Sequence, residues 1–339
     1  MKVLLWTNIP FSLAHGGVQT HMDNLFKHLP AFGVETEPLR WWDQAQSGDL
    51  LHTITRPETA VVRLAHEKGM KVVMSDILDA TASRSNFQLF AQKTTIRLAK
   101  RLAGGLTAKL NWEVYQEADA LVFVLPREQE VAQYLFDAPA TRCHVINHAV
   151  EPEALEQLAL PEPQGDHLIS VATIAPRKNT LALARAAHTA QVPIVFLGKP
   201  FGEDDPYFTE FKKLVDGKYV RYPGFVSREE KYHLLRTAKG FCLLSFGETG
   251  CIALHEASAA GLPLFLSDLP WARQGYTAAK TGITFVAPTR PEIVANQLRT
   301  FYNNSHRLPH HIFPVQSWRD VAEQYVQVYR SVLAQDRAA

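Results

Sequence analysis

Two carboxylates, Glu248 and Glu256, stand with seven residues between them in Ser245-Phe-Gly-Glu-Thr-Gly-Cys-Ile-Ala-Leu-His-Glu256. The apolar run Gly240–Ser245 precedes them and reads as a buried parallel strand. Glycines Gly247 and Gly250 interrupt the stretch, and a small-residue helix continues it through Gly261. Strand, glycine-containing turn and helix in that order aim backbone N–H groups at a ligand, and the helix N-terminus favours negative charge. Glu248 falls in the turn, and Glu256 lies on the helix face shared with Ile252. Acceptors beside an anion-binding helix start suit a ligand whose hydroxyls adjoin phosphates, as in a nucleotide-sugar. Two surface acids on a solvated helix are the bland reading of the same spacing.

Other segments carry the same double reading. Gly16-Gly17 follows the first strand and precedes a helix with Gln19 and His21. Such a pair lets backbone approach a phosphate or sugar closely, or is an ordinary turn. Arg177-Lys178 stands just after the first strand of the second half, as cations suited to a diphosphate or as a solvated basic turn. In Pro223-Gly-Phe-Val-Ser227, Ser227 is an expected N-cap with Glu230 at the capping-box position. Phe225, Val226 and Lys231 are then available for a base and a phosphate. Asp76 ends the strand Val73–Ser75, as a sugar ligand or as a cap.

The elements that must hold these residues alternate twice. Strands are expected near Val3–Ile9, Leu50–Ile54, Lys71–Ser75, Ala120–Leu125 and His144–Ile146, with helices near Val18–Leu29, Glu58–Lys68, Phe87–Leu102, Leu110–Glu117 and Glu128–Phe136. A second series runs His167–Ala172, Ile194–Leu197, Tyr219–Tyr222, Phe241–Ser245, Leu264–Ser267 and Ile283–Val286. Alternation of this kind implies α/β architecture with parallel sheets and right-handed crossovers, ligands lying at the strand C-terminal ends. Glu151–Gly165, with three prolines, reads as a linker between two domains facing a cleft. At 339 residues, with 46% hydrophobic and 20% charged residues, the chain has material for two full cores. A net charge of +1 argues for no nucleic acid partner, and the three cysteines read as reduced core thiols, which fits a cytoplasmic protein. No apolar run reaches transmembrane length, and the N-terminal segment lacks a signal-peptide pattern. From Arg84 to Lys109 there are basic residues and no acidic one; Lys93, Arg97, Lys100 and Arg101 share a helical face, with Ile96, Leu98 and Leu102 off it. That face is either solvated or a weak contact for an anionic membrane surface or a phosphate-linked lipid.

In combination these motifs resemble the retaining, GT-B-fold glycosyltransferases of the large family that contains lipopolysaccharide and mannosyl transferases and sucrose synthase (glycosyltransferase family 4-like). The resemblance is densest from Val220 to Asp268, where Pro-Gly-Phe-Val-Ser, the two-glutamate stretch and Glu-Ala-Ser-Ala-Ala-Gly-Leu-Pro263 occur in family order. Val145–Glu151 and Ser317-Trp318 with the terminal helix resemble the segments that cross between domains. The implied organisation is two doubly wound Rossmann-like domains: 1–150 plus a C-terminal helix of about 318–339 on the acceptor side, and 151–317 as the donor-binding domain. The implied reaction moves a hexose-type sugar from a UDP- or GDP-sugar to an acceptor hydroxyl with retention, with no essential metal or other cofactor. The acceptor is a glycan, a lipid-linked saccharide or a small molecule, and the cell context is glycan biosynthesis, peripheral at the inner membrane face if the basic helix binds there.

The resemblance further implies that Glu256 holds the ribose, that Glu248 contacts the donor sugar and that backbone N–H groups of Gly250, Cys251 and Ile252 meet the sugar or phosphate. Lys178 neutralises the departing diphosphate, Val226 flanks the base and Lys231 faces the nucleotide. Gly16 and Gly17 approach the diphosphate, and Asp76 is a candidate to bind a sugar hydroxyl if it does not cap the next segment. The chain departs from the family pattern in two places. Thr173 stands where an Arg is usual, with Arg177 as a neighbouring substitute, and Ser75 or Asp76 stands where a His is common, with His15 as a substitute. A non-hydrolysing sugar-nucleotide epimerase and a catalytically silent nucleotide-sugar-binding protein share the fold and stand as the other readings.

Overall fold

A computed structural model describes residues 1–12, 16–102, 108–276, 281–308 and 311–334. The chain divides into two compact units, Met1–His148 with Gln316–Ala339, and Ala149–Val315. Among the described residues each unit contains one six-stranded parallel sheet.

The first sheet comprises β1 (Lys2–Trp6), β2 (Glu35–Pro38), β3 (Leu50–Ile54), β4 (Lys71–Ser75), β5 (Ala120–Phe123) and β6 (Cys143–Val145), ordered β2-β1-β3-β4-β5-β6. The strands β3 and β5 are buried along their whole length, as parallel strands covered on both faces must be. Helices α1 (Gly17–His28), α2 (Thr59–Glu67), α3 (Asp79–Ala82), α4 (Asn86–Leu102), α5 (Val114–Glu117) and α6 (Pro126–Phe136) form the connections. The terminal helix Trp318–Ala334 belongs to this unit and buries Trp318, Val321, Tyr325 and Tyr329. A polar residue in the middle of β3 explains how it is fixed there. The His52 ring is buried, with Nε2 2.8 Å from Ser75 Oγ and Nδ1 2.7 Å from Tyr329 Oη, and Ser75 Oγ lies 3.0 Å from Tyr325 Oη. Both ring nitrogens are thereby satisfied, which removes the penalty of burying an unpaired polar group. His21 is buried and His148 half-buried beside the same helix, both in ring contact with Trp318.

The second sheet comprises β7 (Leu168–Val171), β8 (Ile194–Leu197), β9 (Val220–Gly224), β10 (Phe241–Leu243), β11 (Leu264–Ser267) and β12 (Ile283–Val286), ordered β12-β11-β10-β7-β8-β9. Its helices are α7 (Pro152–Ala159), α8 (Thr180–Ala190), α9 (Pro206–Lys212), α10 (Arg228–Thr237), α11 (Ile252–Ala259), α12 (Pro270–Gly275) and α13 (Pro291–Asn304), and the terminal helix of the first unit is then α14. The chain winds outward from β7 in one direction and from β10 in the other. The loops after these two adjacent strands therefore diverge and leave a crevice at their C-terminal ends. At Gly198 the loops after β7 and β8 come close: φ is +140°, and a Cβ would stand 2.1 Å from the Ala172 carbonyl oxygen.

Several expectations need correction. The segment 151–165 is not simply a linker: Pro152 occupies the first turn of α7, where a missing N–H costs nothing. That helix buries Ala154 and Leu158, and Arg307 donates to the Leu158 carbonyl at 2.9 Å near its C-terminus. The helix expected over Leu110–Glu117 is a 3₁₀ turn, Ala108–Leu110, followed by the short α5, with Asn111 at φ +52° between them. The edge strand β2, Glu-Thr-Glu-Pro, is polar and lacks the apolar alternation that reveals a strand.

Burial pushes the pKa of His52 down to about 3 and that of His148 to about 4, and lowers His21 well below its ordinary value. Below pH 6.5 the unfolded chain binds protons that the folded chain refuses, so stability is lost as pH falls from about 6.5 toward 3. Denaturant titrations should show a loss of at least about 3 kcal/mol between pH 7 and pH 4, since each tenfold drop in a histidine's proton affinity is worth roughly 1.4 kcal/mol. Stability that is flat or rising over that range would contradict the buried neutral histidines.

Candidate functional site

The divergent loops after β7 and β10 carry the residues singled out for anion and sugar chemistry. The loop after β7 passes Thr173, half-buried, and closes as a 3₁₀ turn over Pro176–Lys178, with Asn179 at φ +53° leading into α8. The loop after β10 reaches Gly250 at φ +52°, a left-handed turn that glycine adopts without strain, and Cys251 then caps α11. Both loops are tied together. Phe246 N donates to the Arg177 carbonyl at 2.9 Å, and Arg177 Nη1 donates to the Gly247 carbonyl at 2.7 Å. Beneath them, the buried Trp271 indole donates to the Ser245 carbonyl at 3.0 Å.

Glu248 sits where the two loops meet. Lys178 Nζ donates to its Oε1 at 2.6 Å, and Arg177 Nη1 stands 3.7 Å from Oε2. The Glu248 side chain is only 5% exposed, and a carboxylate so enclosed is costly without a cation beside it. Glu256 repeats the arrangement one helical stretch later. It is buried on α11, and Lys231 Nζ from α10 donates to its Oε1 at 2.5 Å. Lys231 also lies 4.9 Å from the centre of the Tyr232 ring. Ser227 caps α10, accepting from Glu230 N at 3.1 Å, as its position in the sequence suggests.

The helix α11 is buried all round, and no acidic side chain lies in its first turn. Its N-terminus therefore keeps its positive end for a ligand. Burial, with the charge of Glu248 second, raises the Cys251 thiol to about 11, so this cysteine is an inert thiol. Near the end of β9, Val226 packs against the core while Phe225 is exposed, and Lys199 Nζ stands 4.2 Å from the Phe225 ring centre.

The second unit thus brings together Lys178, Arg177, Glu248 and the start of α11, with a companion pair at Lys231 and Glu256. In the first unit, Gly16 precedes α1 and Gly17 opens it, and His15 lies outside the described residues. Asp76 is engaged rather than open. Its buried carboxylate takes Arg56 at 3.1 Å and the Tyr115 hydroxyl on Oδ2, and Ile77 N at 2.9 Å on Oδ1. This is a structural ion pair at the end of β4, with the Arg56 guanidinium 4.8 Å from the centre of the Tyr115 ring. Ser75 is likewise spent on the His52–Tyr325 network.

The basic helix also needs correction. On α4, Leu89 and Ile96 are buried, and Lys93 turns inward, 4.2 Å from the centre of the Tyr134 ring and 3.9 Å from Asp137. The opposite face is exposed and carries Phe87, Phe90, Leu98 and Leu102 beside Arg97 and Arg101. Among the described residues, no helix is long and apolar enough to cross a membrane.

Residues 153–312, which lie within the second unit, match the family model Glycosyl transferases group 1. No curated protein sequence matches the chain. Among solved structures, sucrose-phosphate synthase from Thermosynechococcus elongatus superposes with TM-score 0.69 at 16% identity, over 98% of this chain and 99% of that one. WaaG, a glycosyltransferase involved in lipopolysaccharide biosynthesis, gives 0.59 at 14% identity over 98% of each chain. A variant of S. aureus TarM in complex with fondaparinux, alpha-GlcNAc-glycerol and UDP gives 0.55 at 11% identity, over 84% of this chain and 55% of that one. Likeness at these identities establishes fold: α/β, with the two doubly wound sheets of the GT-B class.

The buried pair yields a stability test. Lys178→Met strands a carboxylate and should cost about 3 kcal/mol, whereas adding Glu248→Gln should recover part of it. A double-mutant cycle by urea unfolding should give a coupling of roughly 1–3 kcal/mol; additive losses would contradict a direct pair.

Proposed function

Taking residues 153–312 as a glycosyl transferases group 1 domain, we propose that the chain is a retaining glycosyltransferase that moves a hexose-type sugar from a UDP- or GDP-sugar to an acceptor hydroxyl. The observation that carries this reading is the Lys178–Glu248 pair at the β7/β10 crevice, beside the start of α11. A diphosphate arriving there gains Lys178, Arg177 and the backbone N–H groups of Gly250, Cys251 and Ile252. As the glycosidic bond breaks, charge grows on the leaving diphosphate oxygen, where fixed cations and dipoles stabilise it most. Glu248, released from Lys178, accepts from sugar hydroxyls. Glu256 accepts from the ribose, Lys231 faces the nucleotide and Val226 borders the base. The acceptor oxygen bonds to the anomeric carbon on the face that the diphosphate leaves, and its proton passes to that diphosphate. Asp76, with both oxygens engaged, has no part in this scheme. The TarM structure with UDP supports testing uridine donors first.

A thermal-shift panel of UDP-, GDP- and ADP-sugars tests the donor. At one hundred times its dissociation constant, the correct donor should add about 2.7 kcal/mol of stability, and Glu256→Gln should weaken it roughly tenfold or more, from the loss of charge-assisted hydrogen bonds. No shift with any donor would sink the reading. A shift without transfer or donor hydrolysis would favour a silent binding protein.

We further infer that α4 contacts an anionic membrane surface. Phe87 (80% exposed), Phe90, Leu98 and Leu102 (77% exposed) recur at helical spacing on the face opposite Leu89 and Ile96, with Arg97 and Arg101 alongside. Each cation near an anionic surface contributes about 1 kcal/mol. The chain should sediment with phosphatidylglycerol vesicles at low salt and less with phosphatidylcholine vesicles. Phe87→Ser with Phe90→Ser should abolish sedimentation; binding unaffected by those changes would contradict the inference.

A further inference from the structure

A slot of about 190 Å³ lies in the first unit, between α2 and the segment 39–46 that leaves β2. Its floor is Leu4 of β1 and Leu51 of β3, register partners whose side chains share one face of the sheet. Val61, Leu64 and Ala65 of α2 form one wall, with Met70 at the end where the chain enters β4. Leu39 and Trp41 close the other side. Leu51 is the second residue of β3, and Met70 comes just before the first residue of β4. The slot therefore lies toward the N-terminal ends of the strands, away from the end where doubly wound sheets take their substrates.

The segment over the slot is fixed by charge. Arg40 donates to Asp43 at 2.7 and 3.0 Å and to Glu37 at 2.8 Å, and Gln46 bonds Glu37, the Pro38 carbonyl and Arg40 N. Farther along, Gly48 passes so close to the floor that a Cβ would stand 2.9 Å from Leu4 Cγ. The mouth is apolar and open, with Trp41 62% and Leu64 59% exposed. Apolar side chains around a void lack the contacts that a guest of the right shape restores.

Charge at the mouth is one-sided. Arg40 and Asp43 both line it, but they hold each other. Lys68, which caps the C-terminal end of α2, lines it too. It is exposed and, among the described residues, has no carboxylate partner. An apolar slot with one unmatched cation at its rim suits a molecule with an apolar body and a single negative head.

We propose that the slot binds a small amphipathic carboxylate, a medium-chain fatty acid, with its chain over Leu4 and Leu51 and its head on Lys68. A dry apolar cavity of about 150 Å³ takes one benzene ring, so this slot holds a chain of about six to eight carbons. The lining residues all belong to the first unit, and the proposal does not rest on the transferase reading.

The experiment is calorimetric titration of the full chain with butanoate, hexanoate, octanoate and decanoate, with 1-octanol as the uncharged control. Affinity should rise about fourfold per added methylene and level off near octanoate. Octanol should bind about tenfold more weakly than octanoate, and Lys68→Gln should bring octanoate to the octanol level. Val61→Phe fills the slot and should abolish binding. Leu64→Glu changes an exposed position, so it should keep the melting temperature and weaken octanoate about tenfold through like charge at the mouth. No binding of any carboxylate would overturn the proposal. So would affinity indifferent to chain length, or octanoate binding unchanged in both Val61→Phe and Leu64→Glu. Octanol binding as tightly as octanoate would remove the role of Lys68 and overturn it too. Loss of vesicle sedimentation in Leu64→Glu, with no octanoate bound by the wild type, would assign the slot to the bilayer and overturn it as well.

Discussion

Everything in the second unit depends on where its sheet reverses direction. Successive parallel strands laid side by side bring their connecting loops over one another and fill the space at the sheet edge. Only where the order turns do two neighbouring loops part, and here that happens between β7 and β10. One loop delivers Arg177 and Lys178, the other Glu248 and the start of α11. Residues seventy positions apart in sequence meet at 2.6 Å because of that winding.

Burial then sets the chemistry. Glu248 and Glu256 are both enclosed, and each is held by one lysine from another element. A buried carboxylate without its cation costs several kcal/mol, so neither pair can simply open into solvent. A ligand bearing phosphates and hydroxyls solves this by substitution, its anionic part taking the lysine while its hydroxyls take the carboxylate. The paired acids are thereby suited to positioning a donor, and less to shuttling protons.

Much of this was legible in the residues. Strands Leu50–Ile54, Lys71–Ser75, Ile194–Leu197, Leu264–Ser267 and Ile283–Val286 coincide with their sequence readings; for Ile194–Leu197 and Leu264–Ser267 the reason is that parallel strands buried on both faces read as near-continuous apolar runs. The Ser227 cap was legible for a local reason too, since its partner lies three residues away. What failed was set by tertiary context. The polar strand β2 exists because β1 offers it an edge, and α7 because Pro152 starts a helix as well as it marks a linker. Asp76 read as either a sugar ligand or a cap, and Arg56 and Tyr115, which engage it from distant positions, were not legible at all. Lys93 fell on the basic face by helical arithmetic, yet Tyr134 and Asp137 draw it inward.

The central claim is that the donor diphosphate takes Lys178 from Glu248 at the start of α11. A crystal structure with a bound nucleoside diphosphate sugar tests it directly. The account predicts the β-phosphate within hydrogen-bonding distance of Lys178 Nζ and of the backbone N–H groups at Gly250–Ile252, with Glu248 turned to the sugar hydroxyls. A donor bound elsewhere, or one bound with Lys178 still closed on Glu248 and no phosphate at the helix start, would contradict it.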